Sequence, residues 1–498
     1  MSTWQEKLTN QDRTLHVYII GIGGAGMSAI ATVLLQMGMR VSGSDRQESL
    51  KTERLREAGA TVYPTQTDDN LTQLDIDNYP DIVLMSSAIR PEIPDRQAAE
   101  ALGLPIVKRD AFLPLLLAQR TLIAVAGAHG KSTTTSMIVK ILHEAGIQAG
   151  YIIGTELPGY GNASAGQSDL FVLEADEYDR MFLGLRPTVA VITNVEWDHV
   201  DCYPTADEFA QAFFEFTHLV DPEGLIVSCA DDPGAESLRQ QNQRDVPWRT
   251  YGVSNAVGLP TQPNIGEKFD SRQRGNSWVH AFGLEPQAEL GYMASLQWRD
   301  RRDNEEAMYP LALHVPGLHN VRNALAALCV SRWCGVADTS ALQSLKTFQG
   351  TARRFEVKGE VCGITVIDDY AHHPTEVQVT LAAAQARYPG RRIWAVFQPH
   401  TFSRTAELRQ QMSNCFEHAT RVLVTDIYAS REQNSGKIHA RDLVDASQHP
   451  AIDYVSSLWA ATDQLVAETR AGDVVITLGA GDGYRVGEML LERLIERN

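Results

Sequence analysis

The sequence has little cysteine. Six occur in 498 residues, at 202, 229, 329, 334, 362 and 415, and none forms a C-x-x-C pair. That excludes a disulfide framework and a zinc knuckle, and scattered thiols suit a reducing compartment. No apolar run approaches the roughly 18 residues of a membrane helix. The opening MSTWQEKLTNQDR has no apolar core of a signal peptide. A cytoplasmic protein without membrane insertion is expected. Positive charge is also short: 44 Lys and Arg against 62 Asp and Glu leave a formal net charge of −18. Nucleic acid is therefore a poor candidate partner. A small phosphorylated ligand is not excluded, because a few amides and one or two cations hold phosphate locally in an acidic chain. At 44% hydrophobic and 21% charged, the composition is that of a folded chain. Its length exceeds one ordinary core, so several domains are expected.

What is present falls into three blocks of alternating strand and helix signals, the pattern of mainly parallel α/β sheets. In the first, residues 15–20 form a short apolar run, a glycine turn follows, and residues 25–37 carry helical spacing up to Gly38. The second opens RTLIAVAGAHGKSTTTSMIVKILHEAG and repeats that order, its helix closed by Gly146. Its later strands DLFVLEADE (169–177) and TVAVITNVEWDH (188–199) end in acids. Residues 253–310 read as loops and short antiparallel strands, and 315–335 return to a helix. The third block holds ITVIDDYAHHP (364–374), RRIWAVFQPH (391–400), RVLVTDIYASRE (421–432) and DVVITLGAGDG (473–483). Polar groups gather at the carboxyl ends of strands in all three blocks, where open α/β sheets bind ligands. No short-period repeat is evident.

The stretch AGAHGKST follows a strand and opens a helix. The familiar spacing G-x-x-x-x-G-K-[ST] would place glycine at 125, where Val125 stands, so a shorter phosphate loop is expected. Gly127 and Gly130 let amides converge, the helix start adds its dipole, Lys131 supplies charge, and Ser132 or Thr133 offers a hydroxyl to Mg²⁺. Glu174, Asp176, Asp198 and His199 end nearby strands and are candidate partners of a magnesium nucleotide. Each alone could simply face water. Read as solvent-facing, the loop should tolerate Lys131→Ala without unfolding.

At the front, GIGGAG (21–26) fits G-x-G-x-x-G, with Asp45 about twenty residues on. Alone it suggests a nicotinamide oxidoreductase. Physically it specifies only a diphosphate or another anion at a helix start, with a carboxylate near a hydroxyl. A sugar nucleotide fits as well as NAD. The second loop favours a kinase, ATPase or ligase.

With GIGGAGMSAIA, GAHGKSTTTS, EADEYD, TNVEWDH, HNVRNALAA, ARRFE, DDYAHHPTE and FQPHTFSRT in one order, the chain resembles the Mur ligases, ATP-dependent amino-acid ligases of peptidoglycan synthesis. DDYAHHPTE with FQPHTFSRT points to the branch that adds L-alanine. The resemblance covers nearly the whole chain, thinning over 1–13 and 253–310. It implies three domains: an N-terminal Rossmann-like domain for the UDP-sugar (1–119), a central P-loop ATPase-like parallel sheet for ATP (120–349), and a C-terminal Rossmann-like domain for the amino acid (350–498). The implied substrates are ATP, UDP-N-acetylmuramate and L-alanine, with Mg²⁺ or Mn²⁺, in a monomer or homodimer.

By the same resemblance, Gly127, Ala128, His129, Gly130, Lys131, Ser132 and Thr133 meet ATP. Asn320 and Asn323 meet adenine, and Arg354 and Asp369 reach phosphate and ribose. Ser132, Glu174 and His199 are the metal ligands. Lys131, His129, Glu174, His199 and Arg354 are the catalytic set. Gly23, Gly24, Ala25, Gly26 and Met27 meet the pyrophosphate or sugar, with Asp45, Ser86, Ser87, Ala88 and Ile89 along the uridine side. Tyr370, His372, His400 and Arg404 form the alanine pocket, where a guanidinium suits a carboxylate. Residues 200–220 hold no lysine, so the carbamylated lysine of several relatives is not expected. Trp197 and Thr401 depart from the family's commoner residues and bear on acceptor selectivity. Zinc at His372–His373 is disfavoured, because adjacent residues rarely converge on one ion and no third ligand is obvious.

Overall fold

The computed structural model describes residues 2–253, 277–287, 291–300, 305–434 and 436–497. Three sheets follow one another along the chain, so the α/β reading holds. The first has five parallel strands: β1 (His16–Ile20), β2 (Arg40–Ser44), β3 (Thr61–Tyr63), β4 (Ile82–Met85) and β5 (Ile106–Lys108). Their order is β3-β2-β1-β4-β5. The chain turns to opposite sides of β1, and the glycine turn after β1 opens at that switch point. The helix Ala25–Gln36 follows and buries Met27, Ile30, Val33 and Leu34.

The second sheet has ten strands: β6 (Thr121–Ala126), β7 (Gly150–Leu157), β8 (Gly161–Ser164), β9 (Leu170–Glu174), β10 (Val189–Ile192), β11 (Leu225–Cys229), β12 (Trp248–Val253), β13 (Ser277–Gln287), β14 (Gly291–Asp300) and β15 (Glu305–Leu313). Their order is β15-β14-β13-β12-β11-β10-β6-β9-β7-β8. Strands β12 to β7 along this order pair in parallel, which requires both faces to be covered. The helices Lys131–Glu144 and Leu318–Trp333 pack together within the cluster on one face.

Short strands over 253–310 are corrected where residues are described. The antiparallel strands β13, β14 and β15 are long, spanning 11, 10 and 9 residues. Val279, Ala281, Leu296, Trp298, Leu311 and Leu313 are buried. The alternation was obscured by a register shift between Phe282 and Glu285, where successive side chains stop obeying a strict period of two. The loop expectation for 254–276, 288–290 and 301–304 lies outside the described residues.

The third sheet holds β16 (Glu356–Val361), β17 (Ile364–Asp369), β18 (Ile393–Phe397), β19 (Arg421–Val424), β20 (Ile452–Tyr454) and β21 (Val474–Leu478), in the order β16-β17-β21-β18-β19-β20. Only β16 runs antiparallel. The first two sheets share one apolar cluster, from Leu8 to Trp248. The third has its own clusters and meets the second through polar contacts, among them Thr155 Oγ1 to Ala352 O at 2.8 Å. Among the described residues no helix is long and apolar enough to cross a membrane.

Candidate active site

The loop after β6 is four residues long, 127–130, before the helix opens at Lys131. Gly127 has φ +140°, and a Cβ there would stand 1.9 Å from Thr193 Oγ1, so only glycine fits. Gly130 has φ +80° and faces Asn323, which a Cβ would approach to 2.6 Å. Asn194 Oδ1 accepts from His129 N–H at 2.9 Å, and Thr193 Oγ1 donates to His129 O at 2.6 Å. The strand end after β10 thus shapes the loop.

Lys131 is not solvent-facing, which corrects the expectation that its loss would be structurally silent. Its side chain is 15% exposed, and its ammonium donates to Gly127 O at 2.5 Å and Glu177 Oε1 at 2.8 Å. Glu177 is only 1% exposed and also lies 3.3 Å from His199 Nε2. Burial opposes the charge on all three groups. The pairing, joined at His199 by the charge of Asp198, outweighs it, raising the pKa of Lys131 and His199 and lowering that of Glu177. Removing the lysine would leave the buried carboxylate with His199 alone. Beside this cluster, Ser132 Oγ donates to Glu174 Oε1 at 2.9 Å, and Gly154 N–H donates to Glu174 Oε2 at 2.6 Å.

Between the second and third sheets lies a cavity of about 580 Å³. His129, Gly130, Thr133, Asn320, Asn323, Arg354 and Asp369 line it, together with Asp231, His319 and Glu376. Asn320 Nδ2 donates to Pro316 O at 2.7 Å, and Asn323 Nδ2 to Asn320 Oδ1 at 3.1 Å. Asp369 accepts from Phe355 N–H at 2.9 Å and Ala371 N–H at 2.8 Å, and burial pushes its carboxyl up to about 6. Arg354 pairs with Glu376 at 3.3 Å. His129 lies between two carboxylates, Nε2 at 3.0 Å from Glu196 and Nδ1 at 3.3 Å from Glu376. Burial disfavours its charge, but Glu376 and Glu196 prevail and hold its pKa near 10.

Tyr370, His372 and His400 form a row, with ring centroids 5.5 and 5.7 Å apart, and His400 stacks on Tyr428 at 5.7 Å. Burial and neighbouring cations push His400 down to about 2, and burial takes His372 to about 4, so both are neutral at pH 7. Arg404 is buried beside them. Its Nε and Nη2 donate to the two oxygens of Asp198 at 2.8 and 3.2 Å, and Nη1 lies 3.2 Å from His400 Nδ1. His373 lies against His129 instead, the two rings tilted by 42° with centroids 4.8 Å apart. Trp197 donates to Tyr203 O at 2.9 Å and packs on the first apolar cluster. Thr401 is buried at φ +66° and donates its N–H to Tyr428 O at 2.9 Å.

At the first sheet, Asp45 Oδ2 accepts from Gly23 N–H at 2.8 Å. A Cβ on Gly23 would come equally close to that oxygen. The helix after Gly24 has no side-chain cap and no acid in its first turn, so its amides face outward uncompensated. Ala25 O accepts from Ser28 Oγ, and Ile89 N–H donates to Ser86 O across the turn that holds Ser87 and Ala88. Ser87 Oγ donates to Asp179 at 2.6 Å. Two cations missed in the sequence reading stand here. Lys108 pairs with Asp179 at 2.8 Å and Arg109 with Asp176 at 3.0 Å. A Cβ on Gly26 would lie 2.7 Å from Arg109 Nη1, so the guanidinium sits at that helix start. Residues 176–179 therefore reach the first glycine loop through Arg109 and, through Glu177, the second.

Also missed were Glu177, Glu196, Glu376 and the partner role of Asp198. Glu376 had one signal, its capping-box place three residues after His373. Glu177 had none that set it apart from Glu174 and Asp176.

Family models match three consecutive segments: the Mur ligase family catalytic domain over 16–121, the Mur ligase middle domain over 125–331, and the Mur ligase glutamate ligase domain over 353–481. The chain is 42% identical to the UDP-N-acetylmuramate–L-alanine ligase of Roseiflexus sp. over 97% of its own length and 100% of that protein. It is 39% identical to the protein of that name from Desulforamulus reducens, over 99% and 100%. The crystal structure of UDP-N-acetylmuramate-alanine ligase MurC from Thermotoga maritima superposes with a TM-score of 0.75 at 26% identity, covering 97% and 100% of the two chains. A murein peptide ligase from Psychrobacter arcticus gives 0.70 at 26%, covering 96% and 98%.

Proposed function

Because the chain belongs to the Mur ligase family, we propose that it joins L-alanine to the lactyl carboxylate of UDP-N-acetylmuramate at the expense of ATP, the first peptide step of peptidoglycan precursor synthesis. The observation that carries this reading is the near end-to-end alignment, at 39–42% identity, to ligases of that name, laid over a phosphate loop with its lysine in place. The three units are taken as 1–119 for the sugar nucleotide, 120–349 for ATP and 350–498 for the amino acid.

A carboxylate is a poor acyl donor, because oxide is a poor leaving group. The lactyl carboxylate attacks the γ-phosphorus of ATP, ADP leaves, and an acyl phosphate forms. The amine of L-alanine then attacks the acyl carbon. Phosphate departs, the amine loses a proton, and the amide remains. Two anions must meet in the first step, so positive charge must be concentrated there.

Lys131 supplies it on exchanging Glu177 for phosphate. The amides of 127–133 and Arg354 add to it, and Asn320 and Asn323 hold the base end. Arg109 and Lys108 join the helix start at Gly24 around the sugar's pyrophosphate, in reach of Gly23, Ala25, Gly26 and Met27. Ser132 Oγ and the Glu174 carboxylate, 2.9 Å apart, form an all-oxygen pair suited to Mg²⁺ or Mn²⁺, with His199 beyond Glu177 for a second ion. Such an ion supplies charge neutralisation at the phosphates. Arg404, fixed by Asp198, turns Nη1 from its contact with His400 Nδ1 to the alanine carboxylate, while neutral His372 and His400 and the ring of Tyr370 bound a small side chain.

The test is phosphate release from ATP with UDP-N-acetylmuramate, adding L-alanine, glycine, L-serine or a peptidoglycan tripeptide in turn. Sugar-dependent release strongest with L-alanine is expected. Release with the tripeptide alone would replace this reading with the murein peptide ligase activity.

A further inference from the structure

A buried histidine, a half-buried histidine and a carboxylate converge where the second and third sheets meet. His129 comes from the phosphate loop, Glu196 from the segment after β10, and His373 from the N-cap of the helix Pro374–Arg387. One ligand atom from each lies within 4.8 Å of the others. We propose that these three residues form a binding site for a zinc-class divalent ion, separate from the oxygen pair of Ser132 and Glu174, and that the ion pins the phosphate loop to the third sheet.

The donor set selects the ion. Two imidazoles and one carboxylate suit Zn²⁺ and its late first-row neighbours, and two His with one Glu leave an open fourth position. Mg²⁺ prefers oxygen and keeps its waters, so it does not compete well here.

The surroundings of the ligands are those of a metal site. A ligating histidine normally has its second nitrogen backed by a carboxylate or carbonyl. His129 points Nε2 at Glu196, 3.0 Å away, and its Nδ1 lies 3.3 Å from Glu376 Oε1 as an ion-pair contact without hydrogen-bond geometry. The metal takes the place of the Nε2 proton that faces Glu196, so one proton leaves on binding and affinity rises with pH. Glu196 is oriented through its other oxygen, which accepts from Thr375 Oγ1 at 2.5 Å. His373 is 4% exposed, and its Nε2 is buried without a hydrogen-bond partner. That atom has nothing to do in the protein as it stands, and a metal gives it a role. Binding through Nε2 places the ring proton on Nδ1 and gives up one long contact, from Thr375 N–H at 3.4 Å.

Size is compatible. Ligand atoms about 2.0–2.1 Å from a tetrahedral ion stand roughly 3.3 Å apart. The His129–Glu196 separation is already 3.0 Å. The widest separation must close by about 1.5 Å, which side-chain rotation supplies on binding.

The experiment titrates the full chain, without nucleotide, with Co²⁺ as the spectroscopic probe, and then displaces it with Zn²⁺. One Co²⁺ per chain is expected, with visible d–d bands and no thiolate charge-transfer band. His373→Asn keeps an N-cap acceptor and removes the ligand nitrogen. Glu196→Gln removes the carboxylate on a partly exposed side chain and gives a second route if the first variant fails to fold. Each should weaken cobalt binding at least about tenfold. Zn²⁺ should also slow turnover at saturating Mg²⁺, and less so in the variants. Absence of stoichiometric binding, a thiolate band, or wild-type affinity in both variants would overturn the site.

Discussion

The two glycine loops share one grammar, strand then turn then helix, and differ in where their charge comes from. The loop at 127–130 is followed at once by Lys131, which already contacts the loop's own carbonyls. The loop at 21–26 has no cation of its own. It borrows Arg109 from the helix after β5, more than eighty residues along the chain, while Asp45 occupies the amide of Gly23. The first loop's sequence therefore cannot say which diphosphate it takes, and the reading as a nicotinamide site was open for that reason. The second loop carries enough of its chemistry locally to be read.

Lys131 gives the sharpest contrast. Lys131→Ala combined with Glu177→Gln, which removes the buried carboxylate, should fold normally and lower kcat by about 10²–10³ or more. Lys131→Ala alone should lose about 3 kcal/mol of stability as well, because it removes the nearer of the two cations that hold the buried Glu177 carboxylate. Thermal melts of the single and double variants, run beside phosphate release, check both statements. Equal melting temperatures would mean that Glu177 does not depend on the lysine.

At the borrowed-charge loop the effect should be smaller and confined to one substrate. Arg109→Ala should raise the KM for the sugar nucleotide about 10–100-fold, the loss of one charge-assisted contact. The KM for ATP should barely move. A matching rise for ATP would mean that Arg109 acts through Asp176 and the second loop.

In the third sheet, Arg404→Lys keeps the charge and loses the fork that grips Asp198. The KM for L-alanine should rise about tenfold, the equivalent of one weakened hydrogen bond to a charge, with little change for ATP. Movement of the ATP KM alone would remove Arg404 from the amino-acid pocket.

A last expected effect is on stability against pH. The folded pKa of His129 is raised to about 10 from the ordinary 6.5, chiefly by Glu376 and Glu196 acting against burial. A raised pKa means that the stabilising contribution is fully present below pH 6.5 and is lost as pH climbs towards 10. The difference in melting temperature between wild type and His129→Gln should therefore be largest at pH 6 and shrink through pH 7 to 10. A difference that is flat with pH would show that His129 is neutral in the folded protein.

Much of the fold was legible because its signals are local. The runs at 15–20, 121–126 and 364–369 are apolar, short and bounded by turns, and each became a strand. Glycine closed the helices where expected, as at Gly146. The meander β13–β15 was less legible, because its apolar residues sit on one face and a register shift breaks their count. At the site, contiguous motifs announced the loop and the histidine-rich turn. Pairings across the chain did not announce themselves: Arg404 meets Asp198 across 206 residues, and Thr375 meets Glu196 across 179. These contacts join a sheet with its own apolar clusters to the rest through polar groups, and periodicity carries no information about them.

The central claim is that the ligands of the two loops react directly with each other. The most direct test uses UDP-N-acetylmuramate labelled with ¹⁸O in the lactyl carboxylate, with ATP and L-alanine, followed by mass spectrometry of the released phosphate. An acyl phosphate transfers one labelled oxygen to each phosphate and leaves one in the amide. Phosphate carrying no label would mean that water, not the sugar's carboxylate, attacks ATP, and the account of the two loops would fail.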